Sequence, residues 1–320
     1  MTKDYLAKER TLRFKGILCL IVVFAHSNLN YFYAFGPWAV SVFFFISGYV
    51  LSLTTKGKEM DAGKIFHKFR NFMLPFLIAA IPYHVMFHFF PSVNDYNSVT
   101  GAIKCFFRFE PTVQAGWYIV TLMFLFIIYF IAFKAAKGNS IKILAIMTAL
   151  YIIYAVYAIL VDASWAAETA HIFIIGVAFN LYRDRFEKWF KGNTAAGYTL
   201  LLLSYLSIAL PFLCYEKEGI LFTIGMIVFY QFSPVLFLYF SYQTTIKDPV
   251  TAFLGKYSLW IYLFHVGVQY MLMYGLPAMG YQMQWTVITF FLATTAVSIV
   301  MALIVGIPYD LINKKLTAKK

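Results

Sequence analysis

Charge is what this sequence has least of. Only 12% of its 320 residues are charged, against 62% hydrophobic, where soluble domains carry about 25% charged residues. A chain so composed cannot cover a water-facing surface, so it is an integral membrane protein. Acidic residues are the scarcer sign, 14 in all, and none lies near the centre of a hydrophobic run. Glu168 comes closest, at the outer mouth of one. Proton pumps and cation transporters usually need a buried carboxylate, which weighs against that class. Cysteine is sparse too. Cys19, Cys105 and Cys214 show no paired spacing, so neither a metal site nor a disulfide framework is implied. Cys105 and Cys214 both fall on the outer side, where a bridge is chemically allowed but is not the expectation. A cleavable leader is not expected, because the charged start runs through Lys15 into an apolar stretch that ends without a small-residue cleavage site. No fixed period repeats, which removes the inverted-repeat transporter pattern. The chain reads as one membrane domain over residues 1–320, with no soluble domain beside it.

Hydrophobic windows of about 20 residues mark the spans. They run over 13–31, 38–55, 72–90, 117–133, 143–161, 165–182, 195–214, 220–240, 257–276 and 285–307. The fold class expected is therefore an all-α bundle of about ten transmembrane helices. The outer loop 91–116 contains a stretch, 99–109, with the pattern of a short amphipathic helix lying on the membrane surface. After Ile307 only a short basic tail is expected.

The net charge of +12 is informative through its placement. With the N-terminus inside, all but three of the 26 Lys and Arg residues fall on inner segments. The exceptions are Lys104, Arg108 and Lys217. Adding or removing one helix would invert half of the loops, so an even number of spans with both termini cytoplasmic is expected. The basic balance reflects the membrane, and no nucleic acid is expected as a partner.

Polar side chains inside the spans are few. His26 is the sharpest of them, deep in the first span, with Ser27 and Asn28 after it. Arg10, Arg13 and Lys15 form a cationic cluster at the base of the same span. Lys15 and His26 are 11 residues apart, which on a helix puts them on one face and roughly 16 Å apart along the axis. A neutral imidazole there could take a proton from a hydroxyl. Read alone, it could equally bond a neighbouring helix's carbonyl. The basic residues could bind phosphates, or serve only as a positive-inside anchor. Lys68 and Arg70, on the inner loop ending before Pro75, would put a second basic cluster at the cytoplasmic mouth. Ser47 and Gly48 in the second span would let a thin ligand approach, though small residues also serve ordinary helix packing. Trp117 begins the fourth span and suits an interfacial anchor. His265 lies eight residues into the ninth span. His84 and His88 share a face but have no third ligand at metal spacing, so no metal is assigned. His171 has no assigned role.

Five pieces of this sequence together resemble the acyltransferase 3 family of membrane O-acyltransferases. They are KGILCLIVVFAH, ending at His26; FFFISG, ending at Gly48; the basic run HKFRNFMLP; WYI from Trp117; and LGKYSLWIYLFH, ending at His265. There are departures. Lys15 stands where arginine is commoner, and the paired-arginine spacing before the proline is held by Lys68 and Asn71, with Arg70 between.

The resemblance implies transfer of an acyl group, usually acetyl, from cytoplasmic acyl-CoA to a hydroxyl of a surface polysaccharide or its lipid-linked precursor. It places the protein in the inner membrane as a multi-pass enzyme. His26 would be general base or acyl carrier. Arg13, Lys15, Lys68 and Arg70 would hold the CoA head, and the pantetheine arm would run beside Ser47 and Gly48. Trp117 and His265 are the further candidates. Acetyl-CoA is the donor substrate, with no permanently bound cofactor expected. Partners are acyl-CoA, the carbohydrate acceptor and membrane lipids. The competing readings are an exporter of a small anion or glycolipid, with the basic mouths as a funnel, and a non-catalytic member of a polysaccharide-synthesis complex.

Overall fold

The computed structural model describes residues 8–27, 35–55, 62–89, 98–191, 194–214, 220–243 and 248–318. Among them every regular element is a helix: α1 (Lys8–His26), α2 (Phe35–Thr55), α3 (Ala62–Phe89), α4 (Val99–Phe107), α5 (Trp117–Ala136), α6 (Ser140–Leu160), α7 (Trp165–Glu168), α8 (Ile172–Leu181), α9 (Arg183–Lys191), α10 (Ala195–Cys214), α11 (Ile220–Gln243), α12 (Pro249–Tyr270), α13 (Leu276–Ala278) and α14 (Val287–Ala318). Among the described residues, six helical stretches are long and apolar enough to cross a membrane: Phe35–Thr55, Ile65–Phe89, Gln114–Ala136, Ser140–Leu160, Pro249–Ala278 and Val287–Lys315. Two shorter apolar ones cover Trp165–Leu181 and Ala195–Leu210. All ten hydrophobic windows fall on helices; the end of the first window, with Asn28, lies outside the described residues.

Several boundaries differ from the sequence expectation. The basic run before Pro75 is not a loop. α3 begins at Ala62 and carries Lys68 and Arg70 on its own first turns, running on through Pro75 and Pro82. A proline removes one donor but need not end a helix whose neighbours fill the gap. α12 begins eight residues before its window, where Asp248 caps the N-terminus by accepting from Val250 N and Thr251 N, with Pro249 in the first turn. A carboxylate cap followed by proline is a strong helix start. The tail after Ile307 continues as helix to Ala318 through Pro308. The sixth window breaks at 169–171 into α7 and α8. α4 forms where its pattern placed it, but ends at Phe107. Ser98 accepts from Gly101 N at its start, and the chain leaves through a positive φ at buried Phe109.

By internal contacts the described chain forms two compact units. The first comprises residues 1–11, 37–69 and 121–247, and the second 12–36, 70–120 and 248–320. In the first, α2 and α8 cross with backbone against backbone. Gly48 faces the carbonyl of Phe173, and Gly176 faces that of Phe45. Further along, Asn180 Nδ2 donates to Ser52 Oγ at 2.9 Å. Thr55 Oγ1 and the Tyr129 hydroxyl, 2.7 Å apart, tie the end of α2 to α5.

In the second unit the central element is α12, buried on almost every face from Leu254 to Gln269. A helix apolar all round belongs in a core. α14 covers one side, where Trp260 stacks on Phe264 at 6.0 Å and meets Tyr309 edge-on at 5.4 Å. α3 covers another, with Phe87 against Tyr270 at 5.6 Å. α1 covers the third.

Candidate functional site

Two glycines bring α1 and α12 together. A Cβ on Gly16 would stand 2.5 Å from the Thr251 carbonyl oxygen and 2.8 Å from Gly255 N. One on Gly255 would collide with the Leu12 carbonyl. One turn on, Cys19 Sγ donates to the Ser258 carbonyl at 3.4 Å. These two residues are 239 positions apart in sequence, and so are Gly16 and Gly255, and His26 and His265. A constant offset means two parallel helices in fixed register. That register carries two histidines, each remote in sequence, to the same level.

The His26 and His265 rings lie 5.1 Å apart between centroids, inclined by 58°. His26 is exposed at the end of α1, and His265 is fully buried behind it. His265 Nδ1 sits 2.6 Å from the carbonyl oxygen of Tyr262. A carbonyl can only accept, so Nδ1 carries the hydrogen, and in the neutral ring Nε2 carries the lone pair. That Nε2 is buried and has no hydrogen-bond partner. Buried polar atoms are seldom left so, because desolvation is not then recovered. An accessible imidazole beside a buried one with a fixed tautomer and a vacant acceptor could act chemically as a base with an orienting partner.

The neighbourhood supports the turn that carries His265. Tyr118 meets Tyr262 edge-on at 5.7 Å. In the WYI run it is thus Tyr118, buried, that touches this turn, while Trp117 is half-buried. Gln269, one turn beyond His265 and buried, places its amide nitrogen 3.5 Å from Ser27 Oγ, beside His26. Tyr83 of α3 bonds the α12 backbone on both sides of His265. Sequence reading missed Tyr83 and Gln269, and took Tyr118 only as part of the WYI run and its interfacial anchor. Each is polar within an apolar span, and Gln269 lies one helical turn from His265, which is the signal that could have found it.

The cations are distributed as follows. Lys15 is half-buried, immediately before the Gly16 crossing. Arg13 is half-buried with an unpartnered Nε, and its charge acts on Asp248, the cap of α12. Arg70 is exposed on α3. Arg13, Lys15, His26, Arg70, Trp117 and His265 thus share the second unit. Ser47, Gly48 and Lys68 belong to the first. There, Lys68 Nζ donates to Thr54 Oγ1 at 3.3 Å. Gly48 is occupied by the α8 backbone, so small-residue helix packing accounts for it. Ser47, next to it, is half-buried.

No curated protein and no solved structure matches the chain. A family model does: the acyltransferase domain of the acyltransferase 3 family, over residues 13–306. That range begins just before the Gly16 crossing and includes both histidines. The chain belongs to the acyltransferase 3 family, and is a membrane acyltransferase.

Proposed function

We propose that this protein transfers an acyl group, acetyl in the simplest case, from cytoplasmic acyl-CoA to a hydroxyl of a surface polysaccharide or its lipid-linked precursor. The observation that carries the reading is the histidine pair at the end of the parallel α1/α12 crossing. His26 takes the proton of the acceptor hydroxyl as its oxygen attacks the thioester carbonyl. The new C–O bond forms, the C–S bond breaks, and the proton leaves on the CoA thiol. His265 Nε2 accepts a hydrogen bond from the His26 imidazolium and holds its ring in line, in the way that a third group orients a base. An acyl-His26 intermediate would use the same atoms in two steps.

Acyl-CoA fits the spacing. Its pantetheine arm spans about 15–20 Å, against the roughly 16 Å rise from Lys15 to His26. Lys15, with Arg13 and Arg70 of the same unit, would supply the cations for the phosphates. Trp117 would serve the membrane interface.

The reading includes ten spans in a cytoplasmic (inner) membrane, with both termini on the cytoplasmic side. Helix directions support that count. Successive spans alternate in direction, so spans an even number apart run the same way. α1 and α12, first and ninth, are parallel. α3 and α12, third and ninth, are parallel too, through Tyr83 with Gly267 and Phe87 with Tyr270.

The test uses membrane vesicles holding the protein, with labelled acetyl-CoA on the cytoplasmic side. Label should enter base-labile ester on extracted glycans or glycolipids and vanish with His26→Ala. Ester formation that persists in His26→Ala would refute the assignment of the base. Flux of a solute without any need for acyl-CoA would replace the enzyme reading with an exporter.

A further inference from the structure

The turn of α12 that carries His265 is gripped from outside by one side chain. The Tyr83 hydroxyl donates to the Leu263 carbonyl at 2.9 Å and accepts from Gly267 N–H at 2.7 Å. Those two backbone groups are each other's partners in a regular α-helix, and His265 lies midway between them. Both capacities of a buried hydroxyl are therefore spent on one rung of one helix. A side chain entering the helical ladder is a recognised cause of local distortion. Four residues after Gly267 the helix widens into a π turn, Met271–Gly275, and such turns cluster at functional sites. Gly267 completes the fit. A Cβ there would stand 2.8 Å from the Tyr83 ring, so the ring occupies the space that the glycine leaves.

Three backbone groups of the turn are thus fixed by side chains. Tyr262 O is held by His265 itself, and Leu263 O and Gly267 N by Tyr83. The imidazole of His265 hangs from the middle of this clamped segment. Its direction depends on peptide planes that Tyr83 sets.

We infer that Tyr83 is a positioning residue for acyl transfer, its hydroxyl fixing the 262–267 turn so that His265 Nε2 faces His26. This rests on the histidine-pair reading above. Tyr83 touches no reacting atom. It acts only through His265, and that gives it a distinctive signature.

The test is Tyr83→Phe in the full-length protein in vesicles. The ring stays, so the space beside Gly267 remains filled, and only the hydroxyl is lost. The turnover rate should fall about 10–100-fold, a part of the roughly 100–10,000-fold that a positioned base supplies, with KM for acetyl-CoA unchanged. In a His265→Ala background the same substitution should cost nothing further, because residues acting as one unit are not additive. An equal loss in both backgrounds, or a wild-type rate for Tyr83→Phe alone, would overturn the inference. A second readout needs no activity. Nitrogen NMR of labelled histidine should show His265 with a protonated Nδ1 in the native chain and a changed signal in Tyr83→Phe. An unchanged His265 signal sinks the inference whatever the assay gives. If acyl transfer survives His26→Ala while the His265 signal still moves in Tyr83→Phe, the base assignment fails and the positioning of His265 stands.

Discussion

Replacing Gly16 by alanine puts one methyl group into the tightest part of the α1/α12 crossing. That methyl would lie 2.5 Å from the Thr251 oxygen, 2.8 Å from Gly255 N and 3.0 Å from Leu254 Cβ, where ordinary contact begins at 3.4 Å. Two of these neighbours are backbone and cannot swing away. The helices must therefore part by about 0.6–0.9 Å, and overpacking of this kind costs about 1–3 kcal/mol. The histidine pair lies about 15 Å further along the same two helices. A misplacement approaching 1 Å at a reacting centre costs on the order of 100-fold in rate. Gly16→Ala should then lower the thermal transition in detergent by several degrees and reduce ester formation in vesicles about 10–100-fold. KM for acetyl-CoA should change far less, because Lys15 and the basic residues stay in place. Ile304→Ala, at an exposed position on α14, controls for a general effect of mutation. Native stability and native rate in Gly16→Ala would refute the claim that backbone contact at this crossing sets the histidine geometry.

Other consequences are more local. His265→Ala should cut turnover by about 100-fold or more while leaving acetyl-CoA binding intact, read as a kcat loss at constant KM; a KM effect alone would remove it from the proton path. Lys15→Ala should raise KM for acetyl-CoA roughly 10-fold or more, as expected for loss of one charge-assisted contact, with little change in turnover. Gly48→Ala and Gly176→Ala should each destabilise the α2/α8 crossing, by about 1–3 kcal/mol, seen as a lower thermal transition. Asp248 gives a pH test. The Thr251 side chain, then the Thr251 and Val250 backbone donors, hold its carboxyl below the usual carboxylate value of about 3.9. A depressed value means that the cap's stabilisation is present above the ordinary range and is lost as pH falls through the folded value. Hydrogen exchange at Val250 and Thr251, corrected for its intrinsic pH dependence, should therefore lose protection only at distinctly acid pH, and at every pH in Asp248→Ala. Protection lost already near pH 5 would contradict the capping geometry.

How much of this was legible in the sequence depends on the range of the interaction involved. Hydrophobic windows located the helices because burial in a bilayer demands long apolar runs, whatever their neighbours. Local terminators were harder. Pro308, just past the last window, looks like a stop and is not, since adjacent helices can satisfy the carbonyl that it leaves. His26 was visible as an expensive group in an apolar span. His265 was visible for the same reason, but its partnership with His26 was not, because nothing local encodes a register across 239 positions. Gly255 and Gly16 encode it physically, yet in sequence a packing glycine and a ligand-accommodating one look alike. Gly48 makes the point: its expected slot is filled by the Phe173 carbonyl.

The parallel crossing also bears on why the pair could arise between the first and ninth spans rather than between neighbours. Consecutive spans joined by short loops run antiparallel, so a residue near the outer end of one meets a residue near the start of the next. Parallel helices match equal depths instead. His26, 18 residues into α1, and His265, 16 residues into α12, are at nearly the same height for that reason. Burial then decides the roles. The exposed ring at the end of α1 can meet a hydroxyl, while the one enclosed by α1, α3 and α14 cannot, and is left to hold its neighbour. If that division is right, exchanging the types is asymmetric. His265→Gln keeps an acceptor oxygen and should retain more activity than His265→Ala, whereas His26→Gln has no proton-accepting base to offer and should be as inactive as His26→Ala. Equal rescue at both positions, measured as ester formed per minute at saturating acetyl-CoA, would mean that neither ring is the base.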